Sequence, residues 1–175
     1  MLPDLRSAIR TVPDFPKKGI MFRDITTLIK DPDLLHRVVD VLADHYSGKN
    51  VQAVAAIESR GFILGAPLAY KLGVGFIPIR KPGKLPAAVT REEYSLEYGT
   101  DAIEIHNDAV RPSMRVLLHD DLLATGGTMQ AACTLVEKLG GVVAGVSFLV
   151  ELSFLNGRSR LGGRDIYSMI QYAEE

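Results

Sequence analysis

Residues 116–128 read Val-Leu-Leu-His-Asp-Asp-Leu-Leu-Ala-Thr-Gly-Gly-Thr, and this stretch decides the fold of the chain. An apolar run long enough for a buried strand ends in two carboxylates, Asp120 and Asp121, and a loop of small residues then begins a helix. Backbone N–H groups of such a loop can approach a phosphate closely at the positive end of the helix. The two carboxylates are good acceptors for sugar hydroxyls or for a hydrated Mg²⁺. The stretch therefore predicts an anion site beside a diol site.

The loop is expected to supply the phosphate ligands, and we call it the phosphate loop. Its residues are Ala124, Thr125, Gly126, Gly127 and Thr128. Its two threonine hydroxyls can donate to the same phosphate oxygens as the backbone. The loop lacks both the lysine of a P-loop and the glycine spacing of a Rossmann turn, which disfavours nucleoside triphosphates and NAD. An alternative is that the acids and glycines only serve a strand–turn–helix connection.

Strands and helices alternate along most of the chain. Helical spacing follows Asp31-Pro32 as N-cap and first residue, and a second helix, 61–72, contains Pro67, which predicts a kink or a broken first half. The remaining predicted elements are strands at 51–57, 74–79, 115–119 and 142–150 and a helix at 128–139. This rhythm predicts an α/β fold with a mostly parallel central sheet flanked by helices. Ligands of such sheets bind beyond the carboxyl ends of the strands.

Two segments depart from that rhythm. The segment of about residues 81–112 alternates polar and apolar residues and then becomes polar, which predicts an antiparallel hairpin that acts as a lid. A solvated hairpin without a role is the alternative. About residues 1–30 form a small N-terminal hood, in which Phe22 can stack on a flat ring while the main chain of Met21 and Arg23 reads its edge. A core phenylalanine is the alternative there.

Cations follow two other strands at the same predicted edge of the sheet. Ser59, Arg60 and Gly61 open a helix directly after a buried strand, and Arg60 can clamp phosphate oxygens in a bidentate manner. The next strand ends in a cationic turn with Arg80, Lys81 and Lys84. Cations on one side of a cleft and carboxylates on the other suit a substrate that carries both a polyanion and a diol.

Composition limits the remaining choices. The chain has 175 residues, 20 basic and 21 acidic, so it fits one domain, and its net charge of −1 gives no electrostatic reason to bind nucleic acid or a membrane. The N-terminus lacks a signal-peptide core. The single cysteine, Cys133, excludes an intramolecular disulfide and suits a reducing compartment. His119, just before the acids, is interpreted as a packed, hydrogen-bonded core histidine.

Six motifs, in this order, resemble those of the type I phosphoribosyltransferases and, among them, of the adenine-specific branch. Beyond the acidic signature they are Phe22-Arg23-Asp24, Glu58-Ser59-Arg60-Gly61-Phe62, the Arg80–Pro86 turn, Tyr94-Ser95-Leu96-Glu97-Tyr98-Gly99 and Leu149-Val150-Glu151-Leu152. The lid and the cationic turn discriminate the branch, because other members share only the acidic signature. An aliphatic residue is usual in the family at the position of His119.

The resemblance implies a purine-salvage pentosyltransferase of the cytoplasm, which forms AMP and pyrophosphate from adenine and 5-phosphoribosyl-1-pyrophosphate (PRPP). It implies Mg²⁺ held through substrate and water, with no direct protein ligand, an unusual Glu58–Ser59 peptide, and a homodimer. Adenine would lie between Phe22 and Leu122. Glu97 would act as general acid/base at adenine N7, and Tyr98 would help the lid to exclude water.

Two rival functions share much of this pattern. A non-catalytic PRPP sensor would keep the pocket, but it needs an output surface for which the chain has neither spare length nor basic charge. A phosphoribosyltransferase for hypoxanthine, guanine, xanthine or orotate would share every phosphate argument. Only the hood and the lid disfavour the second rival.

Overall fold

The structure is a computed structural model that describes residues 5–95 and 99–174. Strands and helices alternate along most of the chain. The elements, in chain order, are β1 Arg10–Val12, β2 Phe22–Asp24, α1 Thr26–Ile29, α2 Pro32–Tyr46, β3 Ala53–Ile57, α3 Arg60–Leu72, β4 Gly75–Ile79, β5 Val89–Ser95, β6 Thr100–His106, β7 Arg115–Leu123, α4 Gly127–Lys138, β8 Val142–Leu152 and β9 Ile166–Tyr172. Two 3₁₀ turns, Ser153–Leu155 and Gly157–Leu161, join β8 to β9.

The central sheet has five strands in the order β4-β3-β7-β8-β9, and all of its neighbours are parallel. The prediction of a mostly parallel sheet with helical crossovers is confirmed. The outermost strand, β9, was not predicted, because the polar segment that precedes it gives no strand-helix rhythm. None of the described helices combines the length and the apolar character that crossing a membrane requires.

The sheet is buried on both faces, which explains its nearly continuous apolar strands. One face packs against α4 and the hairpin, around Leu118, Val136 and Phe148, and the other packs against α2 and α3, around Leu42 and Leu68. Helix α2 begins as predicted, since the Asp31 side chain accepts hydrogen bonds from the N–H groups of its first turn. Cys133 is fully buried in the first of these cores, where burial raises the pKa of its thiol to about 11.

Two sequence predictions need correction. Helix α3 runs unbroken from Arg60 to Leu72, so Pro67 does not interrupt its first half. The carbonyl that loses its partner to Pro67 belongs to Ile63, on the exposed side of the helix, where water can take the place of the missing N–H. The acidic pair also lies within β7 rather than after it, because β8 continues beside β7 as far as Leu123 and Glu151. Pairing with β3 ends at His119, so both acids still extend beyond that neighbour.

The hairpin of the predicted lid is antiparallel, as expected, but it forms a separate sheet of β5 and β6. A single bridge, Arg80 to Glu104, joins it to the end of β4. The N-terminal hood contains a second small antiparallel sheet, β1 with β2. Both small sheets flank the carboxyl ends of the central strands.

The carboxylate of Asp24 ties β1 of the hood to the start of α1. It accepts hydrogen bonds from the Thr26 N–H at 2.9 Å, the Thr26 hydroxyl at 2.7 Å and Arg10 Nε at 3.0 Å. The hydrogen bonds from Thr26 and then from Arg10 lower the pKa of Asp24 from 3.8 to about 2. The lowered pKa means that the ionised form is favoured in the folded state.

We expect Asp24→Asn to lower the free energy of unfolding at pH 7 by about 1–2 kcal/mol. The contribution of Asp24 is complete above its unfolded pKa of 3.8 and is lost as the pH falls toward about 2. The difference between variant and wild type should therefore shrink over that interval in urea unfolding. Asp44→Asn, on the exposed face of α2, makes the same change of charge and is the control. A constant difference between pH 7 and pH 2 would contradict this role for the carboxylate.

Candidate active site

A cleft of about 420 Å³ opens at the carboxyl ends of β3 and β7, under the hairpin. It brings together residues that are distant in sequence and that were predicted to share one site. Its lining consists of Phe22, Ile57, Glu58, Ser59, Arg60, Lys81, Tyr94, Asp120, Asp121 and Thr128. The carboxylates, the first helical arginine, one lysine of the cationic turn and the ring of the hood therefore face one space.

The acidic pair is held in a desolvated position with a cation beside it. Burial and then the neighbouring charge of Asp121 raise the pKa of Asp120, and burial raises that of Asp121 although Arg60 opposes the shift. Arg60 Nε lies 3.0 Å from Asp121 Oδ2, an ion pair in which the N–H is not aligned for a hydrogen bond. A buried carboxylate oxygen without a hydrogen-bond donor favours a ligand that brings hydroxyl groups or positive charge.

Glycine at position 61 permits the close approach of α3 to this pair. A Cβ on Gly61 would lie 3.0 Å from Asp120 Oδ1 and 3.2 Å from the His119 carbonyl oxygen. Any side chain there would displace either the first turn of α3 or the carboxylate. The Glu58–Ser59 peptide bond that precedes this turn is cis. The unusual geometry expected at that bond is therefore confirmed.

The small-residue loop forms a separate pocket of about 80 Å³ next to the cleft. Gly126 adopts a φ of 82°, a left-handed conformation that glycine favours, and α4 begins at the next residue. Among the described residues no side chain caps α4, so its first backbone N–H groups are available to an anion. The pocket is lined by Asp120, Leu122, Leu123, the loop 124–128, Met129 and Phe148. The loop and the acidic pair therefore adjoin, as predicted.

The predicted ring-binding residues are only partly brought together. Phe22 lines the cleft, with the guanidinium carbon of Arg60 5.2 Å from its ring centre. Leu122 lines the loop pocket instead of the cleft. The side chain of Arg23 donates to Thr11 at 2.6 Å and lies over a tyrosine ring, so only its backbone remains for reading a ligand. Since β1 is the one neighbour of β2 among the described strands, the backbone of residues 21–23 has an edge that none of these strands pairs with.

The cations of the turn have different surroundings. Arg80 donates to Glu58 Oε2 through Nε at 3.0 Å and Nη2 at 2.9 Å, and its Nη1 donates to the Lys84 carbonyl. Burial opposes ionisation of Glu58, but the Lys81 N–H and Arg80 together lower its pKa. Arg80 thus ties the turn to the end of β3, and neither it nor Lys84 lines the cleft.

Lys81 does line the cleft, and hairpin side chains surround its ammonium group. Tyr94 lies 2.9 Å away, and Asp101 forms an ion pair with it. Burial disfavours the charged form, but the bonds to Asp101 and Tyr94 raise the pKa of Lys81 overall. No sequence pattern singled out Glu58, Tyr94 or Asp101 as site residues, although the first two stand inside the quoted motifs.

Glu97 and Tyr98 lie outside the described residues. The strand end before them is close to the phosphate loop, since a Cβ on Gly127 would lie 3.4 Å from the Ser95 carbonyl oxygen. The hairpin therefore covers the beginning of α4. The catalytic roles given to Glu97 and Tyr98 stay predictions.

His119 is fully buried, and Ser147 Oγ lies 2.8 Å from its Nδ1. Burial lowers its pKa to about 4, so the ring is neutral at physiological pH. The interpretation as a hydrogen-bonded core histidine is confirmed. The contact with Ser147 explains how the aliphatic strand β7 accommodates a polar residue at this position.

The described residues do not form a preformed metal site. Among residues 5–95 and 99–174, no group of three or more His, Cys, Asp or Glu side chains is arranged to hold one. The oxygen donors of Asp120 and Asp121 nevertheless suit a hydrated Mg²⁺, a cation that keeps several of its waters. Asp121 Oδ2 accepts no hydrogen bond from the described residues, which is compatible with such a contact beside its ion pair with Arg60.

Comparisons with known proteins agree with this geometry. The phosphoribosyl transferase domain model matches residues 26–159. The adenine phosphoribosyltransferase of Chloroflexus aurantiacus is 59% identical over 169 residues, which are 97% of this chain and 98% of that protein. The crystal structure of the Thermoanaerobacter pseudethanolicus enzyme of the same name has a TM-score of 0.94 and 54% identity, covering 97% of this chain and 98% of that one.

A third solved structure shows a relative with ligands. It is adenine phosphoribosyltransferase from Saccharomyces cerevisiae, complexed with an imino-altritol bisphosphate and adenine. Its TM-score is 0.90 and its identity 37%, and the match covers 95% of this chain and 96% of that one. Both the resemblance noted in the motifs and the expected fold are thereby confirmed. This chain belongs to the adenine phosphoribosyltransferases of the phosphoribosyltransferase family.

Proposed function

We propose that the chain transfers the 5-phosphoribosyl group of PRPP to adenine, giving AMP and pyrophosphate in purine salvage. The observation that carries this proposal is the cleft that joins Asp120 and Asp121 to Arg60 and Thr128. PRPP is a pentose with phosphate at one end and pyrophosphate at the other. The carboxylates suit the pentose, the loop that contains Thr128 suits the phosphate, and Arg60 suits the pyrophosphate. The yeast relative's complex with adenine supports the choice of base.

Displacement at the anomeric carbon develops positive charge on the sugar, because the bond to pyrophosphate loosens before the base nitrogen has bonded. Asp120 and Asp121 accept hydrogen bonds from the ribose hydroxyls, and those bonds favour the ionised carboxylates. Their negative charge then lies beside the sugar where positive charge develops. The loop 124–128 holds the 5′-phosphate and supplies positioning energy from a group that does not react.

The leaving pyrophosphate gains negative charge as its bond breaks. Arg60 and the backbone of Ser59 and Gly61 stand at the first turn of α3, where donors and the helix dipole favour an anion. Lys81 adds a cation from the opposite side of the cleft. Arg80 acts through Glu58 by holding the turn, and Lys84, on the same turn, is a further proposed contact of the pyrophosphate. Bound Mg²⁺ would neutralise part of the pyrophosphate charge.

Adenine enters over Phe22, with the unpaired backbone edge of residues 21–23 reading its amino side. Leu122 would have to reach the opposite face of the ring from the neighbouring loop pocket. Glu97 takes the proton of adenine N7 as N9 attacks, and Tyr98 closes over the cleft with the hairpin.

The experiment that tests this function is pyrophosphate release from PRPP with adenine, hypoxanthine, guanine, xanthine and orotate, each with Mg²⁺ and with EDTA. We expect turnover with adenine alone and loss of turnover without the metal. Preference for another base would refute the assignment of substrate. Binding of PRPP without turnover of any base would instead favour the sensor.

We further propose that the chain forms a homodimer of the cytoplasm, as the resemblance implies. Helix α3 exposes apolar side chains that a second copy would cover, with Tyr70 88% and Ile63 40% exposed. The lone, buried Cys133 fits a reducing compartment.

Charge on that face should weaken self-association. We expect Tyr70→Glu to raise the dimer dissociation constant at least about tenfold in sedimentation experiments, since a charge would be buried in the interface. Asp44→Asn is again a suitable control, because it alters a solvent-exposed residue of α2. A Tyr70→Glu protein as dimeric as the wild type would exclude this face.

A further inference from the structure

Two backbones meet without room for a side chain behind the phosphate loop. A Cβ on Gly157 would lie 2.1 Å from the Ala124 carbonyl oxygen, and a Cβ on Gly126 would lie 2.5 Å from the Gly157 carbonyl oxygen. Both distances are far below van der Waals contact. The loop that is proposed to grip the 5′-phosphate therefore rests directly on the backbone of the segment after β8.

That segment is fixed by an ion pair between the buried Glu151 and the partly exposed Arg158. Arg158 Nε lies 2.7 and 2.9 Å from the two carboxylate oxygens of Glu151, a residue only 2% exposed. The other guanidinium nitrogens donate to the Ile166 carbonyl and to Ser168 Oγ, each at 3.2 Å. Although burial opposes its ionisation, the bonds from Arg158 and Ser168 lower the pKa of Glu151. Arg158, the residue directly after Gly157, thus ties the segment to β8 and β9.

The ion pair is also adjacent to the start of the phosphate loop in the sheet. Glu151 on β8 is the partner of Leu123 on β7, and Leu123 is the residue before Ala124. At the far end of the segment, Leu161 is fully buried in the core. The segment is therefore anchored at β8 before Gly157 and at Arg158 and Leu161 after it. It can act as a rigid support. Glu151 belongs to the motif Leu149-Val150-Glu151-Leu152, none of whose residues takes part in the proposed mechanism.

We propose that Gly157 and the Glu151–Arg158 ion pair are positioning residues for the phosphate loop. They contact no reacting atom, but they fix the backbone of Ala124 and Gly126 and thereby the directions of the loop N–H groups. Hydrogen-bond donors aimed at a phosphate lose strength when they move by a few tenths of an ångström. The inference rests on the proposed function insofar as it takes the 5′-phosphate of PRPP or AMP as the ligand of the loop.

The test compares ligands with and without that phosphate. In Arg158→Gln we expect the KM for PRPP to rise about tenfold or more, while the KM for adenine stays within about twofold. By calorimetry, the affinity for AMP should fall by a similar factor and that for adenosine should not. Gly157→Ala should act in the same direction and more strongly, because its methyl group meets the Ala124 carbonyl.

A matched control is the ion pair Lys49–Asp165, whose 2.7 Å contact joins the residues after α2 to the residue before β9 without touching the segment. Lys49→Gln should leave the ratio of adenosine to AMP dissociation constants unchanged. A folded Arg158→Gln protein with an unchanged ratio, or with equal losses for both ligands, would overturn the proposal. If Gly157→Ala does not fold, Arg158→Gln decides the question. If the wild type turns over no base, the proposed function fails, and the AMP to adenosine ratio still tests the support.

Discussion

Asp120→Asn is expected to lower kcat for AMP synthesis by about 10²–10³-fold, the effect typical of removing one electrostatic contact to a transition state. The substitution keeps the shape of the side chain and an oxygen to accept the Asp121 N–H, now bonded at 2.9 Å. It removes only the charge beside the developing sugar cation. Affinity for phosphate, measured with inorganic phosphate because it lacks the sugar hydroxyls, should change little.

Stability should move in the opposite direction to the rate. Burial and the neighbouring carboxylate raise the pKa of Asp120 in the folded chain, so its ionised form opposes folding once the pH exceeds the unfolded pKa of 3.8. Asparagine removes this cost, and the melting temperature at pH 7 should rise. A variant that keeps its rate, or that loses rate and phosphate affinity equally, would contradict an electrostatic role at the sugar.

Asp121→Asn provides the internal comparison. We expect a comparable loss of rate but no gain in stability, because Arg60 at 3.0 Å would lose its ionic partner. Equal stabilisation by both substitutions would show that Arg60 contributes nothing to holding Asp121.

Glu97→Gln is expected to lower the maximal rate with adenine by about 10²-fold or more, because the base proton then has no acceptor. Glu97 is three residues beyond Tyr94, which lines the cleft, and two beyond Ser95, which lies over the phosphate loop. The KM for PRPP should remain near that of the wild type, since the phosphate contacts lie elsewhere.

Glu93→Gln is the matched control for this experiment, because it neutralises an exposed carboxylate of the same hairpin, paired only with Arg91 among its described ion pairs. It should leave the rate unchanged. An unaltered maximal rate in Glu97→Gln would show that another group handles the proton on adenine.

The sequence was sufficient for the parallel sheet, because uninterrupted apolar strands alternate with amphipathic helices, and both patterns arise from local periodicity. It was also sufficient to place the acidic pair next to the phosphate loop, since 13 contiguous residues contain both. Arg60 and Phe22 were found because they stand inside motifs, and the cleft confirms that they share one space with the acids.

Other features depend on contacts between distant segments. The length of β7 was underestimated because β8 supplies the hydrogen bonds that extend it past the acids. The diversion of Arg80 to Glu58, 22 residues away, and the contact of Gly157 with the phosphate loop leave no periodic signal. Local sequence determined which groups this protein carries, whereas tertiary packing decided which of them face the cleft, because burial and pairing depend on chain segments that sequence spacing does not bring together.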